Sequence, residues 1–238
     1  MNFWEGDHCL LCHEEIQPEV SWGSIFGKEE TAKICGGCSP KLVPITGETC
    51  SICGRPFAVL ELEYRLGSIC LDCKRWEADD KWCDTLDQNK SLFRYDNFTK
   101  EVIARFKFRG DYILAEIFAA AFRNALLAFQ YDYIVPIPLS EERLYERGFN
   151  QAEAIIVTSG FEPKHLLSRI HTEKQSKKSR HERIHLEQVF KVETDLDLRG
   201  KTILLVDDIY TTGSTLRHAA KLLKDHGAAK VYSLTLAR

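Results

Sequence analysis

No stretch of this chain is apolar for long enough to cross a membrane, and nothing at its start reads as a secretory leader. MNFWEGDHCL has neither a basic opening nor the apolar run of roughly 7–15 residues that export requires. The most apolar region, Tyr112 to Pro138, is interrupted by Glu116, Arg123, Asn124 and Asp132, short of the roughly 18 unbroken apolar residues of a span. A soluble, cytoplasmic protein is expected. Excess positive charge is missing too: 32 Lys and Arg against 35 Asp and Glu give a formal net charge of −3, which excludes coating nucleic acid by bulk charge. The P-loop pattern Gly-x4-Gly-Lys-Ser/Thr and the dinucleotide pattern GxGxxG are both absent. What is present, 44% hydrophobic and 28% charged residues in 238, can build a core and excludes global disorder.

Cysteine organises the chain by where it stops. All nine cysteines lie in residues 1–83 and none in 84–238. This divides the chain into an N-terminal module, residues 1–85, and a larger domain, residues 91–238, with the polar stretch Asp80–Lys90 as linker. Charge divides as well. Residues 1–90 hold 9 Lys and Arg against 16 Asp and Glu, for −7, and the remainder, with 23 against 19, carries +4.

Eight of the cysteines form four Cys-x-x-Cys pairs: Cys9/Cys12, Cys35/Cys38, Cys50/Cys53 and Cys70/Cys73. Two thiolates three residues apart at a tight turn face one metal, and two such turns close a tetrahedral zinc site. Eight ligands make two zincs. A disulfide framework fits poorly in a chain without an export signal, and a redox motif would not occur four times. Sequential pairing leaves 22 and 16 residues between paired knuckles, and an interleaved cross-brace is also allowed by counting. Gly36, Gly37 and Gly54 suit backbone amides that turn around thiolates and donate N–H···S bonds. Cys83 is left as a structural thiol, and His8 and His13 as bystanders. Closed sites are structural, supplying folding energy that a segment poor in aliphatics lacks. The negative charge makes this module a poor phosphate-backbone binder and better suited to docking on a protein or on its own chain.

Residues 91–238 read as alternating strands and helices. Ser91–Tyr95 is a strand candidate; Phe98–Phe108, with Val102, Ile103 and Phe106 on one face, is a helix stopped by Gly110. Ile113–Phe129, apolar nearly all round, should be a buried helix. Tyr133–Pro136 is a strand, Asn150–Val157 helical, Lys201–Val206 a buried strand, Ser214–His226 a helix with Gly227 as left-handed cap, and Val231–Leu236 a last strand. Apolar strands alternating with helices imply an α/β fold, a parallel sheet with helices on both faces.

The most specific signal is Ile203-Leu-Leu-Val-Asp207-Asp208-Ile-Tyr-Thr211-Thr212-Gly213-Ser214-Thr215. A buried strand ends in two acids, and a hydroxyl-and-glycine turn then opens a helix. Backbone amides of the turn and helix start would surround an anion, Gly213 would let the main chain approach it, and the hydroxyls would add donors. Two carboxylates beside a phosphate cradle make sense if they hold sugar hydroxyls, directly or through Mg²⁺. A 5-phosphorylated ribose carries both groups. An ordinary strand end with a Ser/Thr N-cap accounts for one or two of these residues, not for the run.

This segment resembles the phosphoribosyl pyrophosphate (PRPP) signature of type I phosphoribosyltransferases. With Val135-Pro-Ile-Pro-Leu-Ser140, Arg147-Gly-Phe-Asn-Gln151, Lys174-Gln-Ser176, Phe106-Lys-Phe-Arg-Gly-Asp111 and the paired knuckles, the whole chain resembles the ComF family of late-competence proteins. The resemblance implies a type I phosphoribosyltransferase-like sheet beside a double zinc-ribbon module. Asp207 and Asp208 would contact the ribose hydroxyls and, with Lys174 and Arg143, form the catalytic set. Thr211, Thr212, Gly213, Ser214 and Thr215 would hold the 5-phosphate. Pro136, Pro138, Leu139 and Ser140 would form the pyrophosphate loop, with Arg143 or Arg147 as cation. His171–His185, net +3 before any histidine protonates, would be a flap. Purine-salvage members have an acid where Thr211 stands, and threonine offers no such proton chemistry near neutral pH, so hypoxanthine or guanine transfer is not expected.

Two functions follow from the resemblance. One is a competence factor that binds PRPP and Mg²⁺, contacts single-stranded DNA during natural transformation, and works with a DNA-translocating ATPase and the uptake channel. Recruitment to the membrane is then left to those partners. Phe106, Phe108 and Phe149 near cations suit base stacking, although phenylalanines are more often core. The alternative is an active phosphoribosyltransferase, a glycosyltransferase with a pyrimidine, nucleotide or nucleic-acid acceptor. A zinc-ribbon adaptor on a degenerate enzyme fold is the third reading, and retention of both acids and the full loop argues against it.

Overall fold

The computed structural model describes residues 8–16, 32–108, 111–170 and 189–238. In chain order its elements are a short ribbon of β1 (Arg65–Leu66) and β2 (Ile69–Cys70), helix α1 (Leu71–Glu77), strand β3 (Gln88–Phe93), helices α2 (Asn97–Phe108) and α3 (Ala115–Leu126), strand β4 (Tyr133–Pro136), and helices α4 (Glu141–Arg147) and α5 (Gln151–Thr158). A second ribbon pairs β5 (Leu167–Arg169) with β6 (Phe190–Val192); strand β7 (Thr202–Ile209), helix α6 (Ser214–Asp225) and strand β8 (Lys230–Ala237) complete the order.

Four strands form one wholly parallel sheet in the order β3-β8-β7-β4. Side chains alternate across β7, as the two-residue period of a strand requires. Leu204 and Val206 pack with α2, α3 and α5, and Ile203 and Leu205 pack on the other face with α6. Burial on both faces explains why this strand reads as a continuous apolar run. The expected α/β architecture is the one observed.

The cysteine sites join different cores. Cys9, Cys35 and Cys38 pack with Leu11, Leu42, Phe106 and Phe118, whereas Cys50, Cys53, Cys70 and Cys73 pack with Phe57, Leu86, Leu216 and Leu223. Polar contacts fix both attachments. Arg105 Nη1 donates to the Leu11 carbonyl at 2.8 Å, and Lys33 pairs with Glu116 at 2.7 Å. On the other face the buried Asn89 side chain donates to the Cys53 carbonyl at 3.1 Å and accepts from Ser233 Oγ at 2.8 Å.

Several boundaries differ from the sequence reading. Strand β3 begins at Gln88, inside the stretch expected as a linker, and Trp82 and Leu86 in that stretch are buried. The helix expected over Ile113–Phe129 is a 3-10 turn followed by α3, and Ile113 and Leu127 face solvent, because only one stripe of the helix meets the sheet. Helix α4, which buries no residue, carries no apolar signal and was not expected. Gly110 lies outside the described residues. Gly227 adopts the left-handed backbone (φ 100°) expected of it.

Candidate functional site

The apolar run of β7 ends at Val206, and Asp207 and Asp208 emerge at the C-terminal edge of the sheet. Elements from three other parts of the chain bring cations to them. Lys107, at the end of α2, pairs with Asp208 Oδ2 at 2.7 Å, and Arg147, at the end of α4, stands 3.9 Å from the same oxygen. The Asp208 amide donates to Asp207 Oδ1 at 2.9 Å. Burial and the adjacent Asp208 charge push the Asp207 carboxyl up to about 7, partly offset by Lys107 and Arg169. Burial also lowers the pKa of Arg147 and Arg169, and Arg143 repels both. Three cations, Lys107, Arg147 and Arg169, therefore stand around two acids, Arg143 lies beside the two arginines, and burial shifts Asp207 toward its neutral form. That balance leaves the cleft ready for an anion.

The turn after β7 supplies the amides. Gly213 has φ 81°, and a Cβ there would overlap the Tyr210 ring, which is buried beneath it. Helix α6 then begins at Ser214 with no side-chain cap from Gly213. The Ser214 amide donates to Thr212 Oγ1 at 3.4 Å, and the amides that follow it in the first turn have no acceptor within the helix, which leaves them for a ligand. Thr211 and Thr215 are exposed, and Thr212 and Ser214 half-buried.

Across the cleft, β4 ends at Pro136, and the Ile137 amide continues the pairing by donating to the Val206 carbonyl at 2.9 Å. Pro138, Leu139 and Ser140 follow, half-buried. Ser140 Oγ caps α4 by accepting from the Arg143 amide at 3.3 Å. Asn150 anchors the return, capping α5 through the Ala152 amide at 2.9 Å while its Nδ2 donates to the Ile137 carbonyl at 2.9 Å. Arg147 Nη1 donates to Gln151 Oε1 at 2.8 Å. The Arg147–Gln151 motif thus joins the proline turn to the acids.

The structure brings together Asp207, Asp208, Arg143, the proline turn and the Thr211–Thr215 turn. Lys174 and the expected flap His171–His185 lie outside the described residues; the ribbon β5-β6 flanks that segment, with Arg169 at its foot. Lys107 and Arg169 were not singled out from sequence. Lys107 stands inside the quoted Phe106–Asp111 motif, which was its only signal. Of the candidate stacking rings, Phe106 is core, Phe149 is half-buried against Phe106 and Tyr112, and Phe108 alone is exposed, with Arg147 at 5.7 Å.

A cavity of about 500 Å³ opens on the far side of Thr211, between strand ends and the cysteine-rich segment. Its lining includes Arg55, Leu60, Arg94, Tyr95, Tyr210 and Arg238. Arg55 pairs with Asp72 at 2.8 Å, and Arg238 lies over the Tyr210 ring at 4.2 Å.

The cysteines gather sequentially: Cys9, Cys12, Cys35 and Cys38 in one group, and Cys50, Cys53, Cys70 and Cys73 in the other. Sulfurs bound to tetrahedral zinc at ~2.3 Å stand about 3.8 Å apart. The Cys12–Cys35 and Cys53–Cys70 sulfurs are each 3.6 Å apart, so both groups fit the ion. Amides of Leu11 and Cys70 donate to Cys9 and Cys50 sulfurs at 3.4 and 3.3 Å, whereas the Gly54 amide turns to the Cys50 carbonyl instead. Cys83 is exposed beside Asp84.

A family model for the phosphoribosyl transferase domain matches residues 165–238. Competence protein ComFC of Bacillus subtilis (strain 168) is 39% identical over 234 residues, covering 97% of this chain and 94% of its own. Competence protein ComFC of Streptococcus pneumoniae (strain ATCC BAA-255 / R6) is 31% identical, covering 97% and 99%. Competence protein F of Haemophilus influenzae is 29% identical, covering 86% and 90%.

The raised Asp207 pKa has a signed consequence for stability. Between its ordinary value of 3.8 and about 7, the folded protein keeps a proton that the unfolded chain has lost, so stability falls as pH rises through that window. Asp207→Asn should therefore stabilise the ligand-free protein by about 2–4 kcal/mol at pH 8 and hardly at all at pH 4. Urea unfolding at the two pH values measures this, and an equal wild-type-to-variant gap at both would contradict it.

Proposed function

Because the chain belongs to the ComFC family of competence proteins and carries a phosphoribosyl transferase domain, we propose that its cleft binds PRPP with Mg²⁺ and that it acts in the uptake of single-stranded DNA during natural transformation. The observation that carries the reading is the pair Asp207–Asp208, set among Lys107, Arg143, Arg147 and Arg169 and followed by an uncapped helix start. The carboxylates suit ribose hydroxyls, the amides and hydroxyls of Thr211–Thr215 suit the 5-phosphate, and the arginines with the Pro136–Ser140 turn suit the diphosphate. Magnesium arriving with the ligand is a hard cation for oxygen ligands, and Asp207 and Asp208 are the residues that would hold it. Bound there, it would neutralise the diphosphate charge. The two zincs are structural in this reading, since all four positions of each site are filled by cysteine.

The proposed partners are single-stranded DNA, a DNA-translocating ATPase and the uptake channel. Among the described residues no helix is long and apolar enough to cross a membrane. In this reading the protein works from the cytoplasm and reaches the membrane through those partners.

Active phosphoryl-ribosyl transfer is the second reading, and the cavity beside Thr211 favours it. The space adjoins the turn assigned to the sugar phosphate, and Arg94 and Arg238 in its lining suit an acceptor that itself bears phosphate. Thr211 offers no acid for a purine ring. A pyrimidine, a nucleotide or a nucleic-acid end is the fitting class.

Three measurements test these readings. In calorimetry, Asp208→Asn should weaken Mg²⁺-dependent PRPP binding by roughly tenfold or more, as loss of charged hydrogen bonds implies, while circular dichroism stays native and the melting temperature falls because Lys107 loses its partner; unchanged affinity would count against the site. Fluorescence anisotropy should show salt-sensitive binding of single-stranded oligonucleotides, and no binding with or without PRPP would remove direct DNA contact. Pyrophosphate release should rise with a phosphorylated acceptor and fall for that acceptor in Arg94→Glu, whereas silence across bases, nucleotides and DNA ends would leave a binding role alone.

A further inference from the structure

Helix α1 carries a ligand of the second four-cysteine site, Cys73, and one turn later the side chain that reaches the phosphate turn. Trp76 Nε1 donates a 3.1 Å hydrogen bond to the Thr212 carbonyl. Glu77 forms a 2.9 Å ion pair with Arg217 of α6, which is fully buried, and the Arg217 guanidinium lies 5.1 Å from the Trp76 ring. Trp82 packs edge-on against Trp76 at 5.4 Å and against His218 of α6 at 4.5 Å. The second cysteine site, α1 and the first turns of α6 are thus one packed unit with the phosphate turn at its rim.

The hydrogen bond to Thr212 matters because of what shares its peptide plane. In a trans peptide the carbonyl of one residue and the amide of the next point in opposite directions, and no peptide bond among the described residues is cis. With the Thr212 carbonyl drawn toward Trp76, the Gly213 amide is directed away from the cysteine-rich segment. A peptide beside glycine reorients easily, since glycine accepts φ of either sign. An outside clamp therefore decides which way this amide faces.

We propose that Trp76 is a positioning residue for PRPP: it sets the Thr212–Gly213 peptide so that its amide is presented to the sugar phosphate, and it thereby couples zinc in the second cysteine site to ligand affinity. The inference rests on reading Thr211–Thr215 as the phosphate turn. Coupling is reciprocal in binding free energy, so bound PRPP must raise the zinc affinity of the second site. The first site packs on the opposite face of the sheet and lacks this path.

The test uses full-length, zinc-loaded protein. Trp76→Phe keeps an aromatic ring beside Arg217 and removes the N–H donor together with part of the indole's bulk. Hydrogen exchange of the amides at 211–216 should quicken, and Mg²⁺-dependent PRPP affinity should fall, each roughly 5- to 10-fold as one lost hydrogen bond implies, with zinc content and melting temperature as in wild type. In wild type, saturating PRPP should lower the fraction of one of the two zincs taken at equilibrium by a chromogenic chelator, and in Trp76→Phe that protection should vanish. Unchanged exchange and affinity in the variant overturn the proposal, as does equal equilibrium zinc retention against the chelator with and without bound PRPP in wild type, a comparison that stands even if the variant folds poorly. If wild type binds no PRPP, the ligand reading fails, and the exchange measurement still decides whether Trp76 holds the turn.

Discussion

A carboxyl buried beside a second acid, Asp207 next to Asp208, at the end of a strand covered on both faces is a costly arrangement, since desolvation and the neighbouring charge both oppose the ionisation of Asp207. Much of the remaining architecture answers that cost. Lys107 arrives from α2, Arg147 from α4 and Arg169 from the β5-β6 ribbon. No single element could deliver all three. The parallel sheet does so because successive strands point their C-terminal ends at one edge, where the turns after β4 and β7 lie side by side.

The cysteine sites serve the same edge from outside. One group of thiols is built into the core formed by α2 and α3, the other into the core formed by α6. They act less as an appended module than as two pins, one through each layer. The second pin ends beside the Thr211–Thr215 turn through Trp76, and the ion pair of Glu77 with the buried Arg217 makes that attachment hard to loosen, because separating the partners would strand a buried charge.

What could be read from the chain was what is local in it. The cysteine pairs, the Asp207–Thr215 run and the Gly227 cap are decided by neighbours a few residues apart, and each took the form expected. Lys107 and Arg169 were hidden because their role depends on partners brought close only by the crossing of β4, β7 and β8. The Asp80–Lys90 stretch looked like a linker because its polar composition masks Trp82 and Leu86, whose burial depends on α6, more than a hundred residues later. Asn89, Ser91, Ser233 and Thr235 are polar, and nothing local marks them as core, yet all four are buried, satisfied by one another across β3 and β8.

The position of β8 governs the order in which the molecule can be assembled. Residues 230–237 lie between β3 and β7, so β3 has no partner in the main sheet until they have been synthesised. The first cysteine group meets its docking helices α2 and α3 early in synthesis, whereas the second, which packs on α6, must wait with its docking face unmade for most of the intervening chain. Zinc captured early would keep those thiols from oxidation and mispairing during that interval, and the final strand would then lock in one step what had been held apart.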